Sequence, residues 1–270
     1  MLHVLAFALL APPLPVGAAF EEVATFKAPE AHQAVAVDAD CFYAIGNRVI
    51  ARYDKRTGER LATIEASDEL PLIHMNGGVV QDGRLVVSHS NFPFTPMTGS
   101  IETFDAATLE HLDSESLGRT DGSLTAVLPG RPYPLPRRLG LPQTLVFAHY
   151  ELPKIPGYGT GSARTEIVRE LGERREGYLL PEPVVGRVRP HSVSGATNAG
   201  SRSLWLSGHD RPELYRVGFP PAGSEMVLEA IHPAPIAGQG IAADPVEPGV
   251  LWGTRRREGL VVKMRLNAAP

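Results

Sequence analysis

Six histidines, His32, His74, His89, His149, His191 and His209, fall where short apolar runs begin or end. Neutral imidazoles offer lone pairs to first-row divalent ions and exchange protons near neutral pH, so a gathered set suits Lewis-acid or general acid/base chemistry. Their spacing recurs. His32 and Asn47, His74 and His89, and Gln239 and Thr254 are each 15 residues apart; His191 and His209 are 18 apart, and Ser123 and His149 are 26 apart. The first member of each pair opens a strand and the second closes the strand that returns beside it, so both emerge at one end of a hairpin. On that placement His32, His74, His191 and Gln239 are the expected ligands of a divalent metal ion, and His89, His149 and His209 the expected proton-transfer or substrate-contacting groups. Glu151, Asp210 and Glu213 stand near the same end, where a carboxylate can orient an imidazole or accept a proton. Arg255-Arg256-Arg257, just after Trp252, offers a place for an anionic substrate or forms a solvated turn.

Other chemistries find less support. No GxSxG elbow accompanies the serines, and the glycines occur singly or in pairs, without the strand-loop-helix setting of a phosphate cradle. Asp38 and Asp244 end first strands at the opposite rim and read as turn residues, which disfavours a carboxylate-pair glycosidase. Cys41 is the one cysteine; it lies in the apolar run Cys41-Phe42-Tyr43-Ala44-Ile45 and reads as a small buried residue.

The elements that must position these residues are short runs of Val, Ile, Leu, Phe and Tyr separated by Gly, Asp, Asn or Pro, the pattern of strands joined by tight turns. One unit comprises Ala34–Asp38, Cys41–Gly46, Val49–Tyr53 and Arg60–Ala66. A second comprises Gly77–Val80, Arg84–Ser88, Ser100–Phe104 and His111–Leu117. The third runs through Ser123–Leu128, Thr144–Ala148, Thr165–Leu171 and Gly177–Pro183, with a Pro- and Arg-rich insertion from Pro129 to Pro142. Ser192–Thr197, Ser203–Ser207, Glu213–Val217 and Met226–His232 make a fourth. The fifth has only Gly240–Asp244, Val250–Gly253 and Gly259–Leu266, and the alternating run Phe20–Phe26 can supply its missing strand. These units predict an all-β fold, a five-bladed β-propeller of four-stranded antiparallel blades closed by the N-terminal strand. Six blades would require splitting the third unit, with Thr165–Arg175 as a helix. Because a one-residue shift turns a strand side chain to the other face, Gln33 can take the place of His32, and Asn76 can join the set. The loops Asn91–Gly99 and Tyr150–Ala163 emerge on the histidine face and could cover a substrate.

Composition bounds the setting. Twenty-six Lys and Arg against 30 Asp and Glu give a net charge of -4, which does not favour nucleic acid or anionic lipid as partner. Residues 1–18 are mostly apolar, carry no Asp, Glu, Lys or Arg, and end in Val16-Gly17-Ala18, a small-residue cleavage pattern. They read as a secretory signal peptide, leaving residues 19–270 as one propeller domain in the periplasm or outside the cell. The Pro-rich stretch from Pro12 to Pro15 interrupts any membrane span, so no membrane anchor is expected after cleavage, and a monomer is expected.

In its architecture the chain resembles propeller enzymes such as oligogalacturonate lyase and virginiamycin B lyase, which implies a divalent ion held by channel-facing histidines, with glutamine as well in the former. A resemblance spanning about residues 30 to 245 is to exported bacterial propeller proteins sometimes labelled cycloisomerases. It rests on His32-Gln33-Ala34-Val35-Ala36-Val37-Asp38, Ser88-His89-Ser90-Asn91, Phe147-Ala148-His149-Tyr150, Ser207-Gly208-His209-Asp210 and Gly238-Gln239-Gly240-Ile241-Ala242. The functional expectation is a divalent-metal-dependent lyase, cycloisomerase or hydrolase acting at the channel mouth on a small-molecule or oligosaccharide ligand. The alternative is a non-catalytic propeller that binds a metal, a glycan or a protein on the same rim.

Overall fold

The computed structural model describes residues 13–129, 143–148, 165–171 and 174–267. Strand β1 (Phe20–Lys27) is followed by β2 (Ala34–Val37), β3 (Cys41–Ile45), β4 (Val49–Asp54) and β5 (Arg60–Glu65), the last four forming one antiparallel meander. Local chemistry sets its turns. The Asp38 carboxylate accepts the backbone N–H groups of Asp40 and Cys41, closing the first hairpin. Asp54 accepts those of Arg56 and Thr57, and Gly58 with φ 73° completes the reversal into β5.

The next meander is β6 (Met75–Gln81), β7 (Arg84–Ser90), β8 (Thr98–Asp105) and β9 (His111–Arg119). It repeats the device, with Asp105 accepting the N–H groups of Ala107 and Thr108 ahead of Leu109 at φ 64°. Then come β10 (Ser123–Pro129), β11 (Gln143–Ala148), β12 (Thr165–Leu171) and β13 (Arg174–Leu179). The segment from Thr165, weighed as a helix, is therefore extended and pairs on both sides, Ile167 opposite Val146 and Tyr178. The expected strand Gly177–Pro183 stops at Leu179, and a short helix α1 (Glu182–Val188) follows, with Pro183 in its first turn. Val184, Val185 and Val188 bury one face of α1 against a core that includes Leu206 and Tyr215.

The remaining strands are β14 (Gly195–Asn198), β15 (Ser203–Ser207), β16 (Glu213–Gly218) and β17 (Val227–Pro233), then β18 (Ala242–Ala243), β19 (Val250–Arg255) and β20 (Leu260–Leu266). The first four form a meander, and the last three are completed by β1, which pairs with β20 from Phe20 opposite Leu266 to Lys27 opposite Leu260. Upstream of β1, Pro15 and Gly17 hydrogen-bond Ile231 of β17, and His232 Nδ1 donates to Ala18 O at 2.7 Å.

First strands touch in sequence: β2 contacts β6, β6 contacts β10, β10 contacts β14, β14 contacts β18, and β18 returns to β2. This is an all-β propeller arrangement of small antiparallel sheets. Inner strands β2 and β3 are buried throughout, whereas the outer strand β5 alternates between exposed and half-buried residues. That gradient is what stacking the sheets face to face around an axis produces. Close approach at the axis demands small residues. A Cβ on Gly195 would stand 2.5 Å from Gln239 O and 2.6 Å from Gly240 Cα, and one on Gly77 would stand 2.6 Å from Thr125 O. Among the described residues no helix is long and apolar enough to cross a membrane.

Candidate functional site

The starts of β2, β6, β14 and β18 and the chain just past β7 and β15 converge on a cavity of about 130 Å³. Gln33, Asn76, Ser194 and Gln239 give it amide and hydroxyl groups, His74, His191 and His209 give it imidazoles, and Phe92 closes one side. Backbone geometry holds these groups. Gln239 is 3% exposed and has φ 74°, a left-handed conformation costly for a residue with a Cβ. Its N–H donates to Gly208 O at 2.9 Å, and Ser207 Oγ donates to its carbonyl. Asn76 Nδ2 donates to Leu124 O of β10 at 2.8 Å, and Gln33 Nε2 donates to Asn47 Oδ1 at 2.7 Å.

Two imidazoles meet at one wall. The His191 and His209 rings stack with centroids 3.8 Å apart and planes at 25°. His209 Nδ1 lies 2.8 Å from Asp210 Oδ2, and His191 Nε2 lies 3.7 Å from the same oxygen. One ligand atom from each of these three residues falls within 4.8 Å of the other two, so the group could hold a metal ion. Arg256 adjoins it, with Nη1 donating to His209 Nε2 at 2.9 Å and Nη2 to Asp210 Oδ1 at 3.1 Å. With Nε2 accepting, the tautomer assigned to His209 carries its proton on Nδ1 and donates to Asp210.

Burial sets the charge states. His74 is pushed down to about 4, first by desolvation and then by neighbouring His89. Burial also lowers His191 and His209; the Asp210 carboxylate works against it in both, and the Arg256 cation adds to it. Asp210 is itself held below the usual carboxylate range: desolvation opposes this, but the His209 hydrogen bond and the charges of His209, Arg256 and His191 prevail. The arrangement at neutral pH is uncharged imidazoles beside an ionised carboxylate, the protonation pattern a divalent cation requires.

Of the expected ligands, the cavity brings together His74, His191 and Gln239. His32 is exposed, and Gln33 takes the cavity position, the one-residue shift that strand alternation allows. Of the expected proton-transfer groups, His209 lines the cavity, whereas the His89 ring packs within its own sheet. His89 Nε2 accepts the Ile73 N–H at 3.1 Å, its Nδ1 lies 2.9 Å from Ser100 Oγ, and Ser100 passes the chain to Glu102, which is 2% exposed. With both ring nitrogens engaged, His89 supports the strand that carries its neighbours. His149 and Glu151 lie outside the described residues, as do residues 1–12, the insertion 130–142 and the loop 150–163. Glu213 points elsewhere, accepting Arg187 Nε at 2.8 Å and Tyr215 Oη at 2.6 Å. Asp38 and Asp244 serve turns, as their strand-end positions imply. Sequence reasoning missed Phe92, 4.9 Å from the His74 ring, and Ser194. It gave Asp210 only a supporting part, although His209-Asp210 adjacency was the available signal.

The fold is similar to that of glutaminyl cyclase from Myxococcus xanthus, at 12% identity and a TM-score of 0.59, covering 95% of this chain and 100% of that one. A GH43_1 enzyme from Xanthomonas citri is similar at 12% identity and a TM-score of 0.55, covering 94% and 92%. At such identity the likeness is one of β-propeller fold. No protein-family model matches the chain, and no curated protein matches its sequence.

Proposed function

We propose that this protein is an exported five-bladed propeller that holds one first-row divalent cation through His191, His209 and Asp210. In this reading it catalyses a lyase, isomerase or hydrolase reaction on a polar substrate in the adjoining cavity. The observation that carries the reading is the gathering of those three ligand atoms within 4.8 Å of one another, with His191 and His209 in the cavity lining and Asp210 behind them. Two neutral imidazoles and one carboxylate suit a first-row ion that keeps positions open to substrate. Arg256 has to leave His209 Nε2 and Asp210 for the set to act together, a movement open to a long, half-buried side chain.

A bound ion supplies a Lewis acid for a carbonyl or carboxylate oxygen, or a water of lowered pKa. The chain's own groups do the rest. His74, neutral at physiological pH, accepts a substrate proton at its ring nitrogen. Gln33, Asn76 and Gln239 orient polar substituents by hydrogen bonds, and Phe92 keeps water from the His74 face. Among the described lining residues of the cavity none is a carboxylate, which argues against a carboxylate-pair glycosidase. Residues 1–18 would direct export to the periplasm, and cleavage after Ala18 would release the contacts that Pro15 and Gly17 make with β17.

Calorimetric titration of the purified chain with Zn²⁺ and Mn²⁺ tests this reading. One equivalent is expected to bind, His191→Ala and His209→Ala are expected to weaken binding at least about tenfold, and His32→Ala to leave it unchanged. Absence of stoichiometric binding, or equal loss in His32→Ala, overturns the metal site. A closed, inert complex without exchangeable water would favour the metal-binding module instead.

A further inference from the structure

On the far side of Arg256 and Asp210 lies a second cavity, of about 290 Å³, near the roughly 300 Å³ at which small-molecule sites begin. Its walls are Pro235, Ile236 and Ala237, with the Arg255-Arg256-Arg257-Glu258 turn at its edge. Thr254 belongs to the lining, is 1% exposed, and its Oγ1 is buried without a hydrogen-bond partner. Leaving a hydroxyl dry and unpaired is costly, so this oxygen marks a place where a polar ligand atom belongs.

The cations around it are not equivalent. Arg255 is committed to the Glu22 carboxylate and, at 2.8 Å, to Pro235 O. Arg256 already grips a carboxylate, Asp210, at 3.1 Å, and its other amine caps His209 Nε2. A cation taking up His191, His209 and Asp210 removes both partners from Arg256 at once. Its guanidinium then faces the second cavity released from Asp210, in a lining where three arginines outnumber the one other carboxylate, Glu258.

We infer that the second cavity is the carboxylate subsite of the metal site, in which Arg256 exchanges Asp210 for the carboxylate of an organic-acid substrate and Thr254 Oγ1 hydrogen-bonds the same substrate. The inference rests on the proposed metal reading and adds the substrate class to it. The apolar Pro235–Ala237 wall suits a short aliphatic body, and guanidinium geometry suits a planar carboxylate. Binding of cation and acid is then mutually reinforcing.

Propionate, with propanamide as its uncharged counterpart, is the probe, titrated by NMR into metal-free and Zn²⁺-loaded protein. Zn²⁺ loading is expected to tighten propionate about ten- to hundredfold, the weight of a charge-assisted pair, while propanamide stays unbound. Arg256→Gln is expected to abolish the propionate response and keep Zn²⁺. Thr254→Val is expected to weaken propionate several-fold, with Thr254→Ser restoring it. Asp210→Asn, which takes away the competing carboxylate but leaves the His209 contact, is expected to bind propionate weakly in the absence of Zn²⁺. If Arg256→Gln binds Zn²⁺ and propionate as the parent does, the acid is on the ion alone and the subsite is overturned while the metal reading stands. If the parent binds no Zn²⁺ but Asp210→Asn takes propionate through Arg256, the subsite stands and the metal reading falls.

Discussion

His74 carries two consequences of burial. Its imidazole is driven from 6.5 to about 4, so the folded protein refuses a proton that the unfolded chain accepts throughout that window. Stability therefore rises with pH across it: the His74 contribution is complete above about pH 6.5 and is lost as pH falls toward 4. At about 1.4 kcal/mol per pH unit the loss is of order 3 kcal/mol. His89, His191 and His209 are lowered as well and add to the decline, so the test compares variants. Unfolding free energies from urea titrations at pH 7.5 and pH 4.5 are expected to differ by about 2–3 kcal/mol less in His74→Gln than in the parent. An equal difference in the two proteins would mean that His74 is not titrating from a dry site. The residue types around this cavity were legible as chemistry because imidazoles recurred at one place in each hairpin. The Asp210–Arg256 contact was not, since 46 residues separate the pair and only the meeting of two sheets joins them.

Strands and turns explain which parts of the site sequence reasoning could reach. Alternation marks β1 clearly, and the Asp54 and Asp105 turns announce themselves by Asp-x-x-Thr followed by a left-handed residue. Register at the start of β2 is harder, because Ala34–Val37 is buried on both faces and gives no polar beat to separate His32 from Gln33. Helix α1 escaped because seven residues with three Val, one Pro and one Gly read equally as a strand end, and packing of Val184, Val185 and Val188 decides it. Glycines then settle how closely the elements approach. Gly195→Ala places a methyl against backbone atoms of Gln239 and Gly240, which cannot move aside as a flexible side chain can. It is expected to cost about 1–3 kcal/mol and to displace Gln239, weakening ligand binding in the cavity. Gly186→Ala is the contrasting case, its nearest neighbour being Glu182 Oε1 at 3.8 Å. Thermal unfolding is expected to show it stabilised by about 0.5–1 kcal/mol, the helix propensity difference. A destabilised Gly186→Ala beside an indifferent Gly195→Ala would contradict this account of axial crowding.

Closing the ring brings the sheet of β18 to β20 and β1 against the first meander, and aromatic rings fill that seam. Phe26 of β1 stacks on Trp252 of β19 at 5.6 Å, Trp252 on Phe42 at 5.6 Å, and Phe42 on Tyr53 at 4.9 Å. An ion pair crosses the same boundary: Lys55 Nζ lies 2.9 Å from Asp244, whose side chain is fully buried and also accepts Trp252 Nε1 at 2.8 Å. Burial opposes the Asp244 charge, but hydrogen bonds from Lys55, Trp252 and the Val246 and Glu247 backbone hold its carboxyl below the usual range. Its contribution is thus present above the ordinary Asp range and lost as pH falls through the lower folded value. Lys55→Met leaves the Asp244 carboxylate without its cation in a dry site and is expected to cost about 3–5 kcal/mol, whereas adding Asp244→Asn, which removes the charge and keeps an acceptor for Trp252 and the turn, is expected to recover part of it. Because this seam joins the first meander to β18, β19 and β20 from the far end of the sequence, its failure should open the ring before the individual meanders unfold. Hydrogen exchange in Lys55→Met is expected to rise first in β1, β2 and β18 and only later in β14 to β17. Uniform acceleration across all sheets would show instead that the ring unfolds as one unit and that the seam has no separate stability.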